Sequence, residues 1–75
     1  MITPAEIEST LLEAFPGARV SVGDMRGTGD HFEIIVESNI FQGKSILDQH
    51  KMVYAVLKTE MDHRIHAVQL KTKAV

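Results

Sequence analysis

Two runs of alternating residues, and the distance between them, constrain this chain more than anything else in it. Phe32, Ile34 and Val36 alternate with Glu33 and Glu37, the period-two pattern of a strand with one buried face. A second such run occupies Ile65 to Thr72, where Val68 and Leu70 share one parity with His66 while Ile65, Ala67 and Gln69 share the other. About two dozen residues containing a helical segment join the runs, and a crossover of that kind normally leaves the joined strands parallel and right-handed. Parallel strands begin at the same end of a sheet. The connectivity therefore predicts that His31 and His66, 35 positions apart, start two strands at one end of one sheet. Which parity of the last strand faces the core is left open by its composition.

The remaining elements fit around that frame. Thr3-Pro4-Ala5-Glu6 reads as a helix start, with Thr3 as cap, Pro4 pre-set for the first turn and Glu6 closing a capping box. Ile7, Leu11, Ala14 and Phe15 continue it as one apolar stripe, and Pro16-Gly17 ends it. Val20 and Val22 mark an earlier strand, separated from the 31–38 run by Asp24-Met25-Arg26-Gly27-Thr28-Gly29-Asp30, a loop too long for a tight two-residue hairpin. Phe41-Gln42-Gly43-Lys44 reads as a turn, after which Ser45 caps a second helix with Asp48 in its first turn. Ile46, Leu47, Val53, Tyr54, Leu57 and Met61 are expected on its buried face, with Lys51 and Lys58 outside. Asp62-His63-Arg64 reads as the turn that follows. The order helix, strand, strand, helix, strand predicts an α+β fold: a three-stranded mixed sheet with helices packed on one face.

Composition narrows the function. With 75 residues the chain is expected to form a single domain, residues 1–75, too small for a large multi-substrate enzyme. It contains no cysteine, which excludes a disulfide framework, a thiolate nucleophile and any metal site made from its own sulfur. No apolar run approaches the roughly 18 to 20 residues needed to span a bilayer, and a cytoplasmic location without membrane contact is the expectation. Charge is unevenly spread. Residues 1–38 carry seven acidic side chains against two arginines, giving −5, while residues 39–75 carry six basic against three acidic, giving +3. That permits a basic docking face on the C-terminal half without the strongly basic balance of a dedicated DNA binder.

Two imidazoles at one end of a sheet can bind a metal, shuttle protons or simply solvate the strand ends. His63 and His66 also lie three apart, but a turn between them would separate their directions. His50, beside Lys51 in mid-helix, is expected to be a packing residue. Phe15, Phe32 and Tyr54 are expected in the core, Met52 and Met61 as gap fillers, and Phe41 either there or partly exposed at a partner surface. Neighbouring pairs such as Lys44 with Ser45, or Asp30 with His31, point to different faces and do not make a catalytic pair.

Four blocks then stand out together: Asp30-His31-Phe32-Glu33-Ile34-Ile35-Val36-Glu37-Ser38, Phe41-Gln42-Gly43-Lys44-Ser45, His50-Lys51-Met52-Val53-Tyr54, and Ile65-His66-Ala67. In order and spacing they resemble the BolA family. The resemblance implies an αββαβ fold in the style of a class II KH domain. It implies a non-enzymatic adaptor that pairs with monothiol glutaredoxins and shares or accepts a [2Fe–2S] cluster in iron trafficking or iron sensing. In that family the histidine matched by His66 is the cluster ligand, and many members supply a second from the hairpin loop as Cys or His. Here the equivalent position is Thr28, and the loop holds no histidine before His31. The expected set is therefore His66 with His31 as metal ligands and Thr28 and Gly29 beside the cofactor. Sulfur would come from the glutaredoxin and from glutathione, so no cofactor is expected in the isolated chain. Imidazole in place of thiolate, as in Rieske centres, raises the potential and makes a site sensitive to protonation.

The alternative is a nucleic-acid module, since the family includes members described as transcription regulators. A KH domain grips the backbone with a Gly-x-x-Gly loop, whereas the equivalent turn here has only Gly43. Lys44, Lys51 and Arg64 are the candidate contacts, with Lys58, Lys71 and Lys73 extending a basic side. The sequence leaves open whether the free chain forms a homodimer.

Overall fold

The computed structural model of the chain describes residues 2–24, 31–63 and 67–75, with residues 59–63 described as helix backbone alone. The elements run α1 (Pro4–Ala14), β1 (Arg19–Asp24), β2 (His31–Ser38), a 3-10 turn (Asn39–Phe41), α2 (Ile46–His63) and β3 (Ala67–Ala74). This is the predicted order.

Local chemistry sets the boundaries. The Glu6 amide donates to Thr3 Oγ1 at 3.2 Å, the Thr3 hydroxyl donates to Glu6 Oε1 at 3.4 Å, and the helix begins at Pro4. It stops where Phe15 N–H donates to Leu11 O at 2.8 Å and Gly17 takes φ 83°, a conformation that costs a Cβ-bearing residue about 1–2 kcal/mol. The second helix starts in the same way, with the Asp48 amide donating to Ser45 Oγ at 3.1 Å.

The sheet order is β1-β2-β3. β1 runs antiparallel to β2, from Arg19 opposite Glu37 to Asp24 opposite Phe32. β2 and β3 are parallel, from His31 opposite Ala67 to Ser38 opposite Ala74, as the crossover length predicted. Both registers keep parity: Val22 and Leu70 flank Ile34, and Val20 and Thr72 flank Val36. One face of all three strands is thus the even-numbered one. On it Phe32, Ile34 and Val36 are fully buried and pack with Ile2, Ile7, Leu11 and Phe15 of the first helical region and Val53 and Leu57 of α2. Each such side chain contributes about 1.5–3 kcal/mol when buried. Register also settles the parity left open in β3, since Leu70 is buried while Gln69, Lys71 and Lys73 are exposed.

Several expectations are corrected. Ile46 and Leu47 are 58% and 63% exposed rather than core. Ile46 lies seven residues before Val53, on the same side of the helix, yet it is exposed where Val53 is fully buried. The buried stripe begins one turn later, at Gln49, and continues through Val53 and Leu57. Of the two places left open for Phe41, the core is the one it takes: it is fully buried, its ring 5.8 Å from that of Phe15 at 56°. The segment 62–63 is the end of α2 rather than a turn, because no Gly or Pro interrupts it. β3 is described from Ala67 to Ala74, two residues beyond the expected Thr72. Tyr54 is only half-buried, stacked edge-on against half-buried His50 at 6.3 Å. The Met61 side chain lies outside the description.

Candidate functional site

β2 is the central strand, and its first residue is His31. The antiparallel register brings the end of β1 to this point, with Asp24 opposite Phe32, and the parallel register brings the start of β3, with Ala67 opposite His31. One end of the sheet therefore collects the last residue of β1 and the first residues of β2 and β3. Side chains alternate along a strand, so His31 lies on the face opposite buried Phe32, in line with Glu33, Ile35 and Glu37. It is half-buried. Ala67, the residue bonded to His66 in the chain, is its direct cross-strand partner.

The other members of the expected set, His66, Thr28 and Gly29, lie outside the described residues, as does Arg64. Among the described residues, no three His, Cys, Asp or Glu side chains gather as a metal site.

The candidate nucleic-acid contacts sit elsewhere. Lys44 is exposed, and its amide donates to Phe41 O at 3.1 Å in the turn that follows the far end of β2. The eight residues of β2 span about 23 Å at roughly 3.3 Å per residue, so His31 and Lys44 mark opposite ends of the sheet. Lys51 is exposed on α2. Next to Lys44 in the chain, the first turn of α2 exposes Ile46 and Leu47, and Ile40 is also exposed.

The turn around Lys44 is held by a residue that sequence reasoning passed over. Gln49 is 4% exposed, and its Nε2 donates to Lys44 O at 2.9 Å and Phe41 O at 3.5 Å. Its spacing of four from Val53 was the available signal, masked by its polarity. The same end is tied to β3, since Gln42 Nε2 donates to Val75 O at 2.8 Å and Val75 N–H donates to Ser38 O at 3.4 Å. None of the described helices is long and apolar enough to cross a membrane.

The family model described as BolA-like protein matches residues 9–75. The chain belongs to the BolA family. It is 38% identical to Protein BOLA2 of Arabidopsis thaliana over 72 residues, an overlap covering 95% of this BolA-like chain and 76% of that one. To the protein named DNA-binding transcriptional regulator BolA of Escherichia coli K12 it is 29% identical over 82 residues, covering 100% of this chain and 78% of that one. Among solved structures, a bolA protein homologue from Coxiella burnetii matches with a TM-score of 0.82 at 35% identity, covering 99% of this chain and 92% of the other. The BolA fold is thus the frame on which both candidate sets are carried.

Proposed function

We propose that this BolA-family chain is a non-enzymatic cytoplasmic adaptor that pairs with a monothiol glutaredoxin and helps ligate a shared [2Fe–2S] cluster, serving iron–sulfur trafficking or iron sensing. The observation that carries this reading is the register of the parallel pair. His31 opens β2 directly opposite Ala67, and Ala67 is bonded to His66. Two potential nitrogen donors thus belong to adjoining positions of two strands, at the end of the sheet where residues 25–30 also join.

The donor chemistry suits that role. A chain without cysteine offers no thiolate but does offer imidazole nitrogen, and iron in a [2Fe–2S] centre accepts histidine where the other iron keeps thiolates. Sulfur ligands then belong to the partner and to glutathione. His66, with His31 as the candidate second position, would contact one iron, and Thr28 and Gly29 would lie beside the cofactor. Bound through imidazole, the cluster would be a one-electron centre whose stability depends on the protonation state of its ligands.

Reconstituting the mixed complex and recording its visible absorption and circular dichroism tests this. His66→Ala is expected to change the cluster spectrum, and His31→Ala to report separately on the second position. A spectrum unchanged by His66→Ala contradicts the proposal.

A second reading is favoured by the exposed Lys44 and Lys51 on either side of the first turn of α2, and by the DNA-binding name of the E. coli relative. Phosphate contacts by these lysines, with Arg64, would give duplex binding that weakens steeply with salt. Because Lys44 and His31 lie at opposite ends of β2, Lys44→Glu would abolish duplex binding while leaving the cluster spectrum intact.

A further inference from the structure

Among the described residues, the backbone of β3 is hydrogen-bonded on one side only. Val75 N–H donates to Ser38 O, so the odd-numbered amides at this end of β3 point towards β2. In a parallel pair the residues that bond a given neighbour alternate. Gln69, Lys71 and Lys73 therefore direct their N–H and C=O groups at β2, and Val68, Leu70, Thr72 and Ala74 direct theirs away from it. β3 is an edge of the sheet, and no described residue bonds those four outward amides. The side chains bordering this edge on the open face are Gln69, Lys71 and Lys73, all exposed. Glu37 is the register partner of Lys73, whereas Lys71 stands opposite Ile35. An eight-residue strand with no proline or bulge thus presents a regular row of backbone groups that no described residue pairs, beside a short basic row.

We propose that the outer edge of β3 is a strand-addition site for an extended acidic segment of another protein, whose backbone pairs with Val68, Leu70, Thr72 and Ala74 while carboxylates two residues apart lie beside Lys71 and Lys73. Charge selects this occupant. A second copy adding its own β3 would bring lysines against lysines, and directly opposed like charges disfavour pairing. A second copy adding β1 would present Arg19, Ser21 and Gly23 on that face, with no carboxylate to meet Lys71. Edge lysines are a common device against self-pairing; here the same two residues select an acidic strand. Main-chain bonds supply affinity in such additions and the alternating side chains supply specificity. The proposal does not depend on the cluster reading.

The test uses the whole chain and a heptapeptide of alternating valine and glutamate, with a valine–lysine heptapeptide beside it. Under saturating acidic peptide, hydrogen exchange at the Val68, Leu70, Thr72 and Ala74 amides is expected to slow at least about tenfold, while the amides of Val20 and Val22 on the other edge keep their rates. Lys71→Glu, an exposed change opposite Ile35 that leaves the core untouched, is expected to weaken the acidic peptide by roughly tenfold. Equal binding of the basic peptide, protection confined to β1, unchanged exchange at the four β3 amides, or self-association through β3 without peptide would each overturn the proposal.

Discussion

Phe41→Ala should nearly unfold this protein, whereas Leu47→Ala should scarcely be felt. Phe41 is fully buried and its ring lies 5.8 Å from that of Phe15. Truncation to alanine removes roughly 100 Å² of buried apolar surface, or about 2.5 kcal/mol at about 25 cal/mol per Å². Loss of the tilted ring pair adds about 0.5–1.5 kcal/mol, and the unfilled cavity brings the total to about 3–5 kcal/mol. A domain this small starts near about 5 kcal/mol of stability. Leu47 is 63% exposed, and its truncation should cost about 0.5 kcal/mol or less. Urea unfolding followed by far-ultraviolet circular dichroism separates the two. With a slope of about 1 kcal/mol per molar, the Phe41→Ala midpoint should fall by about 3 M or the variant should be unfolded in buffer, while Leu47→Ala should move by about 0.5 M at most. A loss below about 1 kcal/mol for Phe41→Ala, or a larger loss for Leu47→Ala, would refute the reasoning from burial.

Two other outcomes follow from the caps and the turn. Ser45→Ala removes the oxygen that accepts from the Asp48 amide and should cost about 1 kcal/mol, seen as a fall of about 4–8 °C in Tm. Gln49 Oε1 is buried and bonded by none of the described residues, while Nε2 bonds Lys44 O at 2.9 Å; Gln49→Leu removes both and should cost less than about 1 kcal/mol, whereas Gln49→Glu puts a carboxylate there and should cost more than about 2 kcal/mol at neutral pH, read from urea midpoints.

The topology and both helix starts were legible because each is written locally: alternation at 32–36, a crossover too long for a hairpin, and hydroxyl caps at Thr3 and Ser45. Those cues also predicted that His31 and His66 start two strands at one end of the sheet; the parallel pairing of β2 with β3, with His31 opposite Ala67, bears out the strand arrangement, while His66 itself lies outside the described residues. The face of β3 was not legible, because Val68 and Leu70 on one parity compete with Ile65 and Ala67 on the other; only register, with Leu70 beside Ile34, decides. The first turn of α2 was misjudged for a related reason. Helical periodicity reports direction around an axis and says nothing of where the sheet ends, so Ile46 shares the side of Val53 and is still exposed. Conversely, Phe41 follows a strand and precedes a glycine turn, and its burial depends on meeting Phe15 from another element. Of the candidate ligands, sequence and structure together place His31, and they place Ala67 next to it as the attachment point of His66.

Nitrogen ligation to the shared cluster is tested most directly by pulsed electron paramagnetic resonance of the reduced mixed complex, made with this chain labelled with ¹⁵N-histidine and unlabelled glutaredoxin. The account predicts strongly coupled nitrogen that switches to the ¹⁵N pattern on labelling, weakens in His66→Ala and disappears when His31 is replaced as well. A reduced cluster without strongly coupled nitrogen, or with one that survives replacement of both His66 and His31, would contradict it.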